Sequence, residues 1–148
     1  MNAKTVSIAV LGVAGLAVLG WFLAASDDGK TTPTGTRQVP EGAQLVQVQL
    51  PETLSEEARM GQRAFEAICA ACHGDNAAGR NGMGPPLVHK IYEPGHHADA
   101  SFQLAAQNGV RAHHWNFGNM PPVDGVTRAD VAAITTYVRE LQRANGIE

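Results

Sequence analysis

The stretch that decides the fold is AICAACHGD, residues 67–75, in which two cysteines stand three positions apart and a histidine follows the second. Cys69 and Cys72 are the only cysteines of the 148-residue chain. A Cys-x-x-Cys pair is compatible with a disulfide, a zinc site, a redox dithiol or a covalent haem anchor. Of these, only the haem anchor has a use for His73 at the position after the second cysteine.

The alternatives to a haem anchor fit the chain less well. A redox dithiol usually follows a strand in a βαβ unit, and no such unit is predicted. A structural zinc site needs four ligands, and a second cysteine pair is missing, although histidines could replace it. A disulfide that closes so short a loop stabilises little. We therefore predict one covalently bound haem c, with Cys69 and Cys72 attached to the porphyrin vinyl groups and His73 as the proximal iron ligand.

The composition agrees with a cofactor-filled interior. Aromatic residues make up 5% of the chain, whereas 16 residues are glycine and 8 are proline. So few large side chains would form a thin core, which a bound cofactor could fill. The 11 basic residues are outnumbered by 14 acidic ones, and no basic stripe indicates nucleic-acid binding.

Three helices are predicted, at residues 54–72, 99–109 and 126–145, and long Gly/Pro-rich loops separate them. Ser55, Asp99 and Thr127 are the expected N-caps, and Asp130 completes a capping box with Thr127. No strand pattern occurs within the domain, so the predicted fold class is all-α. The positions expected to face the interior are Met60, Ala64, Phe65, Ile68 and Cys72 in the first helix, Phe102, Leu104 and Ala105 in the second, and Val131, Ile134, Tyr137, Val138 and Leu141 in the third.

The N-terminal part of the chain predicts a membrane anchor. Residues 6–25 form an uncharged apolar run of about 30 Å as a helix, the thickness of the hydrocarbon core of a bilayer. Lys4 precedes the run and Asp27 follows it, which places the N-terminus in the cytoplasm and the rest of the chain in the periplasm. A cleaved signal peptide is the alternative, because small residues at 24–26 could form a cleavage site.

We accordingly divide the chain into a single transmembrane helix at 1–26, a linker at 27–54 and a haem domain at 55–148. The first part of the linker is rich in Thr, Gly and Pro and reads as a flexible tether. Its last part alternates Val46, Val48 and Leu50 with glutamines, which predicts a short extended segment on the domain surface.

A haem iron that transfers electrons usually has a second axial ligand. Met120 is the predicted ligand, because it stands in a GNMPPV loop that two prolines stiffen. Met83 lies only ten residues after His73, too near to reach the opposite face of the ring, and Met60 is expected to pack in the core. The remaining candidates are the histidines His89, His96, His97, His113 and His114, which more often serve as loop hydrogen-bond partners.

With these residues in view, the chain resembles a class I cytochrome c over residues 54–147. The resemblance rests on the haem motif, on Met120 and on the Gly84-Pro85-Pro86-Leu87 element. It implies that the Pro85 carbonyl accepts a hydrogen bond from His73. It also implies that the first and last helices cross closely at the contact of Gly61 and Phe65 with Tyr137. An anchor followed by a cytochrome domain is similar to the membrane-attached cytochromes c of alpha-proteobacteria.

Two features depart from mitochondrial cytochrome c. The spacing from His73 to Met120 is shorter, as in compact bacterial members, and the basic docking face is missing. From residue 55 onward there are 8 basic and 10 acidic residues, a net charge of −2. Near the Met120 loop, we expect the Trp115 indole N–H to donate to a haem propionate and Arg111 to pair with one.

The resulting functional prediction is a one-electron carrier and not an enzyme. The resemblance implies quinol–cytochrome c oxidoreductase as the donor and a terminal oxidase as the acceptor, both at the inner membrane that holds the anchor. One alternative is a fixed electron-transfer subunit of a larger membrane oxidoreductase. Another is a haem enzyme or ligand sensor with an open iron site.

Overall fold

The computed structural model describes residues 39–148, and the predicted membrane helix and the first part of the linker lie outside them. This part of the chain contains no β-strand, only three isolated bridges, which agrees with the predicted all-α class. None of its helices has the length and apolar character needed to cross a membrane. The helices are α1 (Glu56–Ile68), α2 (Ala70–His73), α3 (Asp99–Asn108) and α4 (Arg128–Ala144), with 3₁₀ turns at Asp75–Ala77 and Lys90–Tyr92.

The first predicted helix is divided into α1 and α2. The Ser55 side chain caps α1 by accepting a hydrogen bond from the Ala58 amide at 3.1 Å. Cys69 caps the end of α1 and the start of the single turn of α2, which contains Cys72 and His73. Met60 is 49% exposed, so its predicted place in the core was wrong.

Helix α4 has the predicted N-terminal capping box. The Thr127 hydroxyl accepts from the Asp130 amide, and the Asp130 carboxylate accepts from the Thr127 amide. These hydrogen bonds fix the start of the helix, and its predicted apolar stripe is buried as expected. The buried stripe consists of Val131, Ile134, Tyr137, Val138 and Leu141.

Helices α1 and α4 cross at Gly61. A Cβ atom on Gly61 would overlap the Ala133 carbonyl and lie 2.9 Å from the Ile134 nitrogen, so only glycine permits this crossing. One turn further along α1, the Phe65 ring packs against Tyr137 with 5.7 Å between ring centroids. The contact that the resemblance implied is therefore present, and it forms the centre of the core.

Helix α3 starts one residue earlier than a cap at Asp99 would require. Ala98 occupies the N-cap position, and the Asp99 carboxylate instead accepts a hydrogen bond from Arg139 Nε at 2.8 Å. The predicted N-cap was therefore wrong, because a contact 40 positions away takes the side chain. Gly109 ends the helix with φ +73°, as predicted for a C-terminal glycine. Leu104 is 57% exposed rather than interior.

Residues 39–54 of the predicted linker pack on the helical domain. The Leu45 and Val46 amides both donate to the Ala78 carbonyl, at 3.3 and 3.2 Å. Further along, the Gln49 amide donates to Asn145 Oδ1, and Asn145 Nδ2 donates back to the Gln49 carbonyl, each at 2.9 Å. These hydrogen bonds attach the extended segment to the helical domain, in part near its C-terminus. The segment does not form a strand.

Two of the three buried polar side chains on α4 hold the loops in place. Arg139 donates to the carbonyls of Tyr92 and His97, and its Nη1 also donates to Gln142 Oε1. Gln142 in turn donates to the carbonyls of Leu87 and Tyr92, at 2.8 and 3.0 Å. Because these carbonyls belong to the long Gly/Pro-rich loop, α4 fixes the loop that forms one wall of the site.

Candidate haem-binding site

A cavity of about 700 Å³ opens beside the α1–α4 crossing, and its lining is predominantly apolar. Helices α1, α3 and α4 contribute Phe65, Phe102 and Ile134 to its walls, and the loops close the remaining sides. The residues predicted from the sequence that line this cavity are Cys69, Cys72, His73, Pro85, Trp115 and Met120. Arg111 is exposed and is not among the lining residues.

Helix α2 and its N-cap residue present the two cysteines at one side of the cavity. Both thiols are free, with Cys69 half-buried and Cys72 exposed. Burial, with the neighbouring Cys72 as a smaller cause, raises the pKa of the Cys69 thiol to about 11. Gly84 passes so close to this turn that a Cβ atom there would lie 2.6 Å from the Cys72 carbonyl oxygen. The glycine of the Gly-Pro element therefore lets the loop pack directly under the cysteine turn.

His73 makes the hydrogen bond that the resemblance implied. Its Nδ1 lies 2.9 Å from the carbonyl oxygen of Pro85, and since a carbonyl can only accept, Nδ1 carries the proton. Burial lowers the pKa of His73, and the bond to Pro85 opposes that shift only in part. The imidazole is thus neutral and oriented, with the Nε2 lone pair available to a metal.

Met120 lies in the same cavity, in a loop whose backbone is tied to the end of α3. The amides of Val110 and Met120 each donate to the other residue's carbonyl, at 2.9 Å. Gly109 lies under this pair, and a Cβ there would be 2.5 Å from the Met120 carbonyl oxygen. Met83 is 43% exposed and does not line the cavity. The role of Gly109 in seating Met120 was not predicted, because the sequence shows only a helix terminator.

Trp115 contributes a buried indole N–H without a hydrogen-bond partner in the described part of the chain. The Tyr92 side chain lies near the indole, but the two form no hydrogen bond. Burial raises the pKa of Tyr92, and Trp115 opposes that shift. A buried donor left without a partner is costly, so an acceptor from a bound group fits here.

These features fit a haem. The cavity is apolar, and two thiols flank one side of it. The neutral imidazole of His73 and the thioether of Met120 both line it. The buried indole N–H of Trp115 has no acceptor in the described part of the chain. The haem would supply a one-electron iron couple, and thioether and imidazole ligands are those of electron-transfer haems. Cys69 and Cys72 would hold it covalently, and His73 and Met120 would be the ligands of its iron.

The other histidines fall into two groups. His97, His113 and His114 line the cavity, whereas His89 and His96 do not. His89 caps the Lys90–Tyr92 turn by accepting a hydrogen bond from the Ile91 amide at 3.2 Å. The sequence contains two His-His pairs, but their meeting in space was not predicted, because it depends on how two loops fold back on the domain.

Comparison with known protein families agrees with a haem at this site. No curated protein matches the chain. The family described as Cytochrome c matches residues 58–142, which is more than half of the chain and includes the two cysteines, His73, Pro85 and Met120. The matched region and the helical fold around the cavity are those of a class I cytochrome c. The chain therefore belongs to the cytochrome c family, whose members carry electrons on covalently bound haem c.

Proposed function

We propose that the protein carries single electrons between membrane-bound respiratory complexes, with His73 and Met120 as the two axial ligands of one haem. The observation that carries this proposal is the placement of both residues in one apolar cavity beside the free thiols of Cys69 and Cys72. A site with both axial positions filled has no place for a substrate at the iron. Electron transfer is then the function that the arrangement serves best.

The residues around the cavity support this function by limiting rearrangement. The Pro85 carbonyl holds the His73 ring, and the Val110 backbone holds the residue that carries the thioether. The apolar lining excludes water, and a thioether ligand favours the reduced iron, so the reduction potential should be high for a haem. Arg111 plays no part in this proposal, because it lies outside the cavity lining.

The membrane part of the proposal rests on the sequence. The apolar run at 6–25 would anchor the chain in the inner membrane, with the haem domain in the periplasm. A tether between anchor and domain keeps the domain at a high effective concentration near membrane complexes. A quinol–cytochrome c oxidoreductase as donor and a terminal oxidase as acceptor would match this placement.

Met120→Ala tests the ligand assignment. We expect the variant to lose the weak sulfur-to-iron charge-transfer band at the red end of the visible spectrum and to bind cyanide or carbon monoxide, while the haem stays covalently attached. Met120→His should keep the iron low-spin and lower the potential. Met83→Ala is the matched control, because Met83 is exposed and outside the cavity, and it should leave the band unchanged. A band that survives Met120→Ala contradicts the assignment.

Two further measurements test the cellular placement. Mass spectrometry of the protein extracted from membranes should find the N-terminal segment attached, whereas a mature start near Asp27 would indicate a cleaved signal peptide. In detergent, a carrier should separate from the respiratory complexes in high salt. Stable co-purification with one complex would favour the fixed-subunit alternative.

A further inference from the structure

Four of the six histidines gather where two loops meet at the cavity rim. They come from two His-His pairs, His96-His97 and His113-His114, which are 16 positions apart in the chain. The ring centroids of His96 and His97 lie 4.7 Å apart, and those of His97 and His114 lie 5.3 Å apart. The nitrogen atoms that could bind a metal on His96, His97 and His114 all lie within 4.8 Å of one another.

His97 is held as a metal-binding histidine would be. Its Nδ1 lies 2.7 Å from the Ile91 carbonyl oxygen and must donate to it, which leaves the Nε2 lone pair unused. Its backbone is fixed on both sides, because its amide donates to the Glu93 carbonyl at 2.8 Å and its carbonyl accepts from Arg139. The ring orientation is therefore set by protein contacts alone.

The second loop is anchored independently. Its ends are tied by the Val110–Met120 backbone pair and by the Ala112 amide, which donates to Asn119 Oδ1 at 2.9 Å. His114 projects from this loop and is exposed, as is His96 on the facing loop. Exposed rings can rotate, so His96 and His114 can adjust toward the fixed ring of His97.

We propose that His96, His97 and His114 bind one divalent transition-metal ion of the Zn²⁺ or Cu²⁺ type. Three neutral imidazoles without a carboxylate suit these ions and disfavour Mg²⁺ or Ca²⁺. Tetrahedral Zn²⁺ with bonds of about 2.0–2.1 Å needs ligand nitrogens about 3.4 Å apart. The ligand nitrogens now lie within 4.8 Å of one another, and small rotations of the two exposed rings would bring them to this shorter separation. A water molecule would complete the coordination, and Cu²⁺ should bind more tightly than Zn²⁺.

Such an ion would cross-link the two loops close to the iron site. His114 lies six positions before Met120, within the segment that the Val110–Met120 pair closes. A bound ion should therefore stiffen the loop that carries the axial methionine and slow its displacement by cyanide. This consequence rests on the proposed function of Met120, whereas metal binding itself does not.

Isothermal titration of the purified haem-loaded protein, prepared without a histidine tag, tests the site. ZnCl₂ and CuSO₄ are titrated separately into the oxidised form, so that copper is not reduced by the haem. We expect one equivalent of either ion to bind, and His97→Ala or His114→Gln to weaken binding at least about tenfold. His89→Asn is the control, because His89 lies outside the cluster, and its affinity should equal that of the original protein. The haem absorption spectrum of each variant verifies that it is folded.

Electron paramagnetic resonance of the Cu²⁺ complex adds a direct readout of the ligands. We expect nitrogen couplings that diminish in His97→Ala and His114→Gln but persist in His89→Asn. Absence of stoichiometric binding, or equal binding by all the variants, would overturn the proposed site. If Zn²⁺ binds as expected but the rate of cyanide binding is unchanged, only the link to Met120 is refuted.

Discussion

Position 109 requires both a left-handed backbone and the absence of a side chain, and only glycine satisfies both requirements. Its φ of +73° lies in the left-handed region, and its Cα faces the backbone of the loop that carries Met120. A side chain there would press on the Met120 carbonyl at 2.5 Å and on Pro122 at 3.0 Å. The glycine that terminates α3 therefore also positions the proposed axial ligand.

We predict that Gly109→Ala displaces Met120 from its place in the cavity. The charge-transfer band should weaken, and the cyanide affinity of the oxidised protein should rise about tenfold, equivalent to roughly 1.4 kcal/mol. Gly125→Ala is the matched control, because Gly125 has a similar φ of +77° but open space within 4 Å of its added Cβ. Both variants should lose about 1 kcal/mol of stability from backbone strain, but only Gly109→Ala should change cyanide binding.

At the scale of elements, the crossing of α1 and α4 organises the core. The helices approach at Gly61 and interlock through Phe65 and Tyr137, whose hydroxyl also donates to Asn76 Oδ1 at 3.1 Å. This last hydrogen bond connects the crossing to the turn after the haem motif. The cavity thus lies against an element pair that the protein's own side chains hold together.

Gly61→Ala should lower the free energy of unfolding by about 2–3 kcal/mol, because the added methyl group overlaps the Ala133 carbonyl and forces the helices apart. Denaturant titration followed by circular dichroism measures the loss. Gly95→Ala should stay within about 0.5 kcal/mol of the original protein, since an added Cβ there meets nothing within 4 Å. Equal losses in both variants would mean that the close crossing does not limit stability.

At the scale of the whole molecule, Arg139 connects parts of the chain that are far apart in sequence. It is 6% exposed, donates to two loop carbonyls, bonds Asp99 at the start of α3, and lies 5.0 Å from the centre of the Phe102 ring. Its partner Asp99 has a side chain that is 73% exposed. The carbonyl contacts should therefore contribute more to stability than the ion pair does.

The difference in stability between the carbonyl contacts and the ion pair of Arg139 can be measured. Arg139→Ala leaves the His97 carbonyl and Gln142 Oε1 without their donor and removes one of the two donors to the Tyr92 carbonyl, and it should cost about 2–4 kcal/mol. Asp99→Ala removes only the exposed partner and should cost less than about 1 kcal/mol. Thermal unfolding of the two variants, compared with the original protein, distinguishes these values. A similar loss in both would show that the ion pair, and not the loop contacts, supports the fold.

How far the sequence predicts this molecule depends on the range of each contact. The α4 capping box, the buried stripe and the His73–Pro85 bond follow from short spacings or a family motif, and the structure contains all three. The exposed Met60, the bond from Arg139 to Asp99 and the histidine cluster do not follow. They depend on which distant segments meet, and local periodicity carries no information about that.

The crossing of α1 and α4 has a consequence for a newly made chain. A ribosome releases α1 and the cysteine pair long before it has made the helix against which they pack. The 71 positions from His73 to Ala144 take roughly 4–14 s to synthesise at about 5–20 residues per second. During that interval the apolar face of α1 has no partner, and Cys69 and Cys72 remain accessible. The distance in sequence between α1 and α4 thus sets the shortest time for which this part of the chain exists before the two helices can pack.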